Sequence, residues 1–192
     1  METLSVLKDI GLRGNGDIYL GVVGPVRVGK STFIKRFMEV LVIPHIKNED
    51  DKKRALDELP QSGIGKTIMT MEPKFVPSNA VEILVEENLT VKVRLIDCVG
   101  YIIENAQGYL EDGKMRMVKT PRFSETIPFD DAAKIGTQKV IKEHSTLGIC
   151  VLSDGTINEF TREDYKNSEE QVIEELKSID RPFVIVLNSK TP

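Results

Sequence analysis

Ile18-Tyr19-Leu20-Gly21-Val22-Val23 runs straight into Gly24-Pro25-Val26-Arg27-Val28-Gly29-Lys30-Ser31, and this stretch decides the fold. The first six residues form a continuous apolar run, which predicts a buried strand. The next eight match Gly-x-x-x-x-Gly-Lys-Ser, the phosphate-binding P-loop. A helical pattern follows, with Phe33, Ile34, Phe37, Met38 and Leu41 on one face, and Pro44 is expected to end it. Strand, loop and helix in this order are the context the motif needs.

The physics of the loop is specific. The chain must wrap closely enough to aim backbone N–H groups at phosphate oxygens, and Gly24 and Gly29 permit that path. The helix after it presents its positive end to the same phosphates. Gly24, Pro25, Val26, Arg27, Val28, Gly29, Lys30, Ser31 and Thr32 are therefore candidate nucleotide-binding residues. Lys30 is expected to reach the β- and γ-phosphates, and the Ser31 hydroxyl to bind Mg²⁺.

A second motif, Asp97-Cys98-Val99-Gly100, follows the strand-like run Val91 to Ile96. Asp97 is a candidate Mg²⁺ holder, and the Gly100 N–H a candidate γ-phosphate contact. Thr70, in the segment Gln61 to Pro77, is a candidate to complete the Mg²⁺ shell, with Thr67 as competitor. Lys66 reads as a solvated lysine. Lys30, Thr70, Asp97 and Arg27 are the catalytic candidates; Ser31, Thr70 and Asp97 are the metal candidates.

Base recognition departs from the pattern of translation-factor GTPases. Those carry Asn-Lys-x-Asp after the last strand, and the Asp accepts hydrogen bonds from guanine. Here the stretch is Asn188-Ser189-Lys190-Thr191. Asn188 keeps its place, but a hydroxyl at Thr191 cannot supply the bidentate carboxylate. The expectation is ATP rather than GTP. Tyr101 stands where many small GTPases have a water-positioning Gln, so another group must orient the water. Arg27 either offsets charge between the phosphates, as an arginine finger does, or rests on the loop rim.

Outward from these motifs, the chain alternates strand and helix. Val81–Val85 and Val91–Ile96 read as an antiparallel hairpin turning at Glu87-Asn88. Asn48 to Leu59 reads as a solvated helix or loop, and Gln61 to Pro77 as a loop. Gly100 to Pro128 shows little periodicity and is functional or inserted. Asp130 and Asp131 read as caps of a helix that turns Ala133, Val140 and Ile141 inward. Leu147–Leu152 and Phe183–Leu187 read as strands, and Glu169–Ile179 as a helix burying Val172, Ile173, Leu176 and Ile179. The strands are apolar runs. This predicts an α/β three-layer sandwich of P-loop NTPase type, a mostly parallel sheet with one antiparallel edge strand. Ligands of such sheets bind at the strands' carboxyl ends.

Composition narrows the function classes. The 192 residues carry 26 Lys plus Arg against 30 Asp plus Glu, a net charge of −4. That balance argues against a general DNA-binding face. No run reaches the roughly 18 apolar residues of a membrane span, and Met1 to Asp17 lacks secretory-signal features. Cys98 and Cys150 make neither a disulfide framework nor a zinc site, and His45 and His144 stand isolated, which points to reducing cytosol. The domain reading is an N-terminal extension, 1–17, and a nucleotide-binding domain, 18–192. The chain ends at Pro192 just after a strand-like run, where a GTPase-like sheet goes on, which reads as a trimmed core of a longer protein.

Gly-Pro-Val-Arg-Val-Gly-Lys-Ser (24–31), Gly-Ile-Gly-Lys-Thr-Ile-Met-Thr (63–70), Leu-Ile-Asp-Cys-Val-Gly-Tyr (95–101) and Val-Leu-Asn-Ser (186–189) together resemble the stage IV sporulation protein A family. The resemblance covers nearly the whole chain. It implies a translation-factor-type GTPase ancestry and an Mg²⁺-dependent ATPase activity coupled to self-assembly of the spore-coat basement layer. It implies partners too: further copies of itself, a small amphipathic membrane-anchoring peptide and other coat proteins. The implied location is the mother-cell cytoplasm, at the outer forespore membrane. By position, Lys30 matches the P-loop lysine, Asp97 the Mg²⁺-site aspartate and Thr70 the sensor threonine; Met71 stands where some members have a second threonine.

Overall fold

The computed structural model describes residues 17–60, 73–86, 89–103, 105–106, 109–120, 123–179 and 182–191. The apolar run after Asp17 forms the central strand β1 (Asp17–Val23), with Val22 and Val23 wholly buried. β1 pairs in parallel with β3 (Leu89–Asp97) on one side and β8 (Leu147–Ser153) on the other. β8 pairs in parallel with β9 (Phe183–Asn188), and β2 (Lys74–Glu86) pairs antiparallel with β3 at the opposite edge. The order is β2-β3-β1-β8-β9, so the expected antiparallel edge strand is present. β9 is the other edge, and Val184, Ile185 and Leu187 on it stay exposed.

Both faces of the sheet are covered, as apolar runs require. Ile18, Leu20 and Val22 of β1 pack with Ile34 of helix α1 (Lys30–Phe37) and with Met38 and Val42 beyond it. On the opposite face, Val23, Ile96 and Cys150 meet Val140 and Ile141, which follow helix α3 (Phe129–Lys139). Val172 and Leu176 of helix α4 (Arg162–Ser178) join them there.

Several element bounds differ from the sequence reading. β2 starts at Lys74 rather than Val81, with a register shift between Val76 and Val81. An edge strand tolerates Pro77 because its outward side has no ladder to break. Asn48 caps a true helix, α2 (Glu49–Asp57), accepting from the Asp50 and Asp51 amides at 2.9 and 3.0 Å. Pro44 does not simply stop α1. A wider π turn (Met38–Val42) and a 3-10 turn (Ile43–His45) intervene, and the widened turn leaves Leu41 exposed. Asp130 and Asp131 are not caps: α3 begins at Phe129, and both lie in its first turn, where the helix dipole favours acids. α4 begins earlier than Glu169, because Thr161 and Asp164 form a capping box.

Between β3 and α3 the chain makes short pairings. β4 (Leu110–Glu111) meets β5 (Lys114–Met115), and β6 (Met117–Val118) meets β7 (Ile127–Pro128). The expected hairpin turn at Glu87-Asn88 and residues 1–16 lie outside the described residues. No helix among the described residues is long and apolar enough to cross a membrane.

Candidate functional site

Parallel pairing puts four strand ends on one edge of the sheet. Val22 lies opposite Asp97, Val23 opposite Cys150, and Ser153 opposite Asn188. The loops after β1, β3, β8 and β9 therefore converge, which is where the sequence motifs sit.

The loop of residues 24–29 follows a path that ordinary residues resist. Gly24 has φ 142° and Gly29 φ 94°. A Cβ on Gly24 would stand 2.2 Å from the Val151 carbonyl oxygen, and one on Gly29 would stand 2.5 Å from Asn188 Nδ2. The first contact is with fixed backbone, so Gly24 is required for space as well as for dihedral angle; at Gly29 a side chain would displace the Asn188 amide and take up a strained φ. Gly29 is the N-cap of α1 and offers no side-chain cap. The first amides of α1 thus keep the unpaired donors that bind an anion. Thr32 is exposed on the first turn.

Lys30 folds back over the loop. Its Nζ donates to the Pro25 carbonyl at 2.6 Å and to the Gly24 carbonyl at 3.3 Å, and the side chain is buried. Burial pulls its pKa below the ordinary lysine value, while the nearby Cys98, Asp97 and Cys150 act in the other direction. Ser31 Oγ donates to Asp97 Oδ2 at 2.7 Å, so residues 66 positions apart meet as the motifs require. Asp97 Oδ1 is buried and has no hydrogen-bond partner among the described residues. Burial pushes the Asp97 carboxyl above its usual pKa; the Ser31 hydroxyl and the Lys30 ammonium partly offset this.

This donor set suits Mg²⁺. A hard cation takes oxygen ligands, and Mg²⁺ commonly uses one or two protein oxygens with waters and phosphates. An orphaned buried carboxylate oxygen beside a serine hydroxyl is such a partial shell. No group of three or more His, Cys, Asp or Glu side chains fit to hold a metal occurs among the described residues. A complete protein cage is thus not what they form.

Gly100 closes the other wall. It has φ 90°, and a Cβ there would stand 2.1 Å from the Gly24 carbonyl oxygen and 2.5 Å from Lys30 Nζ. Tyr101 then locks onto the P-loop. The Val26 amide donates to its carbonyl at 2.8 Å, and its own amide donates to Gly24 at 3.3 Å. The Tyr101 ring is buried in the core, and burial raises its pKa. It points away from water-positioning work, so the missing Gln is not replaced from this position.

Asn188 Nδ2 donates to the Val28 carbonyl at 3.0 Å, so it supports the loop from behind. Arg27 has φ 66°, and its side chain is half-exposed. Ser189 Oγ accepts from the Thr191 amide at 3.2 Å, and Thr156 Oγ1 accepts from the Lys190 amide at 3.1 Å. The Ser189 and Thr156 hydroxyls hold the Asp154 carboxyl below its usual range. Thr70, Thr67 and Lys66 lie outside the described residues. Cys98 and Cys150 are buried thiols, pushed up to about 11 and about 12 by burial, and act as core residues.

Three side chains at this site were not singled out from the sequence. Asn158 and Tyr165 bond the Arg27 carbonyl, and Ser168 Oγ donates to the Ile102 carbonyl at 2.7 Å. The Thr-x-x-Asp box at 161–164 was the available signal, since it starts α4 a turn before Tyr165 and Ser168.

Comparison with known proteins places the chain in a family. The family described as Stage IV sporulation protein A, ATPase domain, matches residues 1–192. The chain is 56% identical over 192 residues to Stage IV sporulation protein A of Bacillus anthracis, covering 100% of this chain and 39% of that protein. It is 57% identical over 192 residues to that of Bacillus subtilis (strain 168), with the same 100% and 39% coverage. For Clostridioides difficile (strain 630) the figure is 57% over 188 residues, 98% of this chain and 38% of that protein. The chain thus spans less than half the length of these relatives. With a match over every residue, the chain belongs to the stage IV sporulation protein A family, and the part in hand corresponds to its ATPase domain.

Proposed function

We propose that this chain binds ATP with Mg²⁺ and hydrolyses it, and that turnover drives self-assembly of a structural protein into the basement layer of the spore coat. The observation that carries the chemical half is the Ser31–Asp97 pair with its orphaned Oδ1, set between Lys30 and Gly100. The assembly half rests on the family and on the domain's correspondence to an ATPase.

Phosphoryl transfer needs positioning and charge stabilisation more than covalent chemistry. Lys30 and the loop amides stabilise charge on the transferring group. Ser31 and Asp97, with Thr70 from the sequence pattern, are the residues that would hold Mg²⁺. Bound Mg²⁺ neutralises charge on the phosphate oxygens. Asp97 must be ionised for that role; the Ser31 hydroxyl and the Lys30 ammonium oppose the burial that favours its proton. Gly100 brings its backbone close to the loop because it has no side chain. Arg27 offsets charge in cis. The sheet order and motifs support descent from a translation-factor-type GTPase, while Thr191 in place of the base-reading Asp supports ATP over GTP.

One observation favours a second reading, in which the chain binds nucleotide to license assembly but turns over little. Tyr101 is built into the core where a water-positioning side chain is expected. Assembly with further copies, docking of a small amphipathic membrane peptide and other coat proteins, and a mother-cell location at the outer forespore membrane complete the proposal by family resemblance.

Phosphate release under saturating Mg-ATP, wild type against Lys30→Ala and Asp97→Ala, tests the enzyme reading; equal rates in all three defeat it. Competition between ATP and GTP for the site tests the base, and comparable affinity or a GTP preference defeats that half. Arg27→Ala should slow hydrolysis much more than it weakens binding.

A further inference from the structure

Arg27 is a left-handed, non-glycine residue in the middle of the P-loop, at φ 66°. A side chain in that region is disfavoured and persists only where its surroundings hold it. Asn158 and Tyr165 hold it. Asn158 Nδ2 donates to the Arg27 carbonyl at 2.8 Å. The same amide nitrogen donates its second proton to Tyr165 Oη at 2.8 Å. Tyr165 Oη has one proton of its own, 3.1 Å from Asn158 Oδ1 and 3.5 Å from the Arg27 carbonyl oxygen. Asn158 Oδ1 also accepts from the Phe160 amide at 3.0 Å, which fixes the flip of the side-chain amide. Tyr165 is wholly buried and packs edge-on against Phe160, with ring centroids 6.2 Å apart.

The peptide plane turns this contact into chemistry. Within one peptide unit the C=O and the following N–H point in opposite directions. An Arg27 carbonyl drawn toward Asn158 therefore sends the Val28 N–H to the opposite side. The next carbonyl, of Val28, is drawn toward Asn188, which orients the Gly29 N–H in the same way. Two asparagine amides, one after β8 and one at the end of β9, thus fix two consecutive peptide planes of the loop.

We propose that Asn158, braced by Tyr165, is a positioning residue for the P-loop: it fixes the Arg27–Val28 peptide so that the Val28 N–H is presented to the nucleotide phosphates. This role rests on the proposed nucleotide binding, and it makes the loop after β8 and the buried face of α4 part of what sets the phosphate site's geometry.

The test measures Mg-ATP and Mg-ADP affinity, phosphate release and amide hydrogen exchange at residues 27–29, in wild type, Asn158→Ala, Asn158→Asp and Tyr165→Phe. Asn158→Ala should weaken both nucleotides and slow phosphate release by about tenfold, the effect of one well-placed hydrogen bond. Asn158→Asp keeps the shape but loses the donor, and should do at least as much harm. Tyr165→Phe keeps the ring and should cost roughly threefold. Gln138→Ala, which removes a contact to Glu175 between α3 and α4, should leave all readouts unchanged and controls for general loosening. Affinity and rate within twofold of wild type in both Asn158 variants overturn the proposal. So does unchanged exchange at 27–29. If wild type itself binds no ATP, the nucleotide reading fails, while the exchange result still decides the clamp on its own. Should Asn158→Ala unfold the chain, the isosteric Asn158→Asp and Tyr165→Phe carry the decision.

Discussion

The two ends of the nucleotide site are built differently. At the phosphate end, Lys30 is buried, Asp97 is held by Ser31, and Gly24 and Gly100 sit where a Cβ would meet backbone oxygen. At the base end, Asp154, Thr156, Ser189 and Thr191 bond one another and their own backbone near the surface. The first end stores cost: a buried lysine and a buried carboxylate oxygen, each better off with an added partner. The second end is already satisfied and gains little from one. A ligand should therefore be gripped chiefly by its phosphates.

The strongest way to break this comparison is at the phosphate end. Lys30→Ala or Asp97→Ala should cut phosphate release by about 10²–10³-fold, the usual loss when one preorganised charge or donor is removed. A loss under threefold would mean that the buried groups are structural. Gly100→Ala should come next. Its Cβ would meet the Gly24 carbonyl at 2.1 Å, in a backbone region costly to side chains. That strain is worth about 1–3 kcal/mol, so Tm should fall by roughly 2–12 °C, read by thermal unfolding without nucleotide.

Asp97→Asn should separate stability from function. Burial raises the folded-state pKa of Asp97 above its unfolded value. Folding thus takes up a proton in the window between the two, and stability falls as pH rises through it. Asn does not titrate, so the variant should lose that slope. At neutral pH its Tm should rise above that of wild type, while phosphate release collapses. A parallel pH–Tm profile for both proteins would count against the buried-charge account. The smallest effect belongs to the base end. Ser189→Ala and Thr191→Ala should change ATP affinity by less than about threefold, in a titration of each variant. A tenfold loss would show that the base end is prebuilt after all, and the comparison would fail.

Much of this was legible in the sequence because motif and element reinforce each other. The run Ile18 to Val23, the glycines of the loop and Asp97 at a strand end fix two of the converging loops, those after β1 and β3, without any tertiary information. The sheet's antiparallel edge followed from two apolar runs close together. What was not legible depends on packing across the chain. Leu41 matches the helical face by spacing, yet a π turn rotates it out to solvent. Asp130 and Asp131 look like caps, but the helix starts before them. Asn158 has no motif around it; its role appears only when α4 carries Tyr165 under the P-loop, 138 residues from Arg27. Thr70 stays a reading of the sequence alone.

The open edge at β9 has a colloidal consequence. Val184 and Ile185 point to opposite faces of an exposed strand, so neither side of that edge is polar. A strand of this kind templates further strands whatever nucleotide is present. In solutions of these 192 residues, turbidity is therefore a poor measure of ordered polymerisation. A lysine at position 184 would repel edge-to-edge contacts. Light scattering that vanishes with Val184→Lys reports stickiness, and scattering that persists and still needs ATP reports assembly.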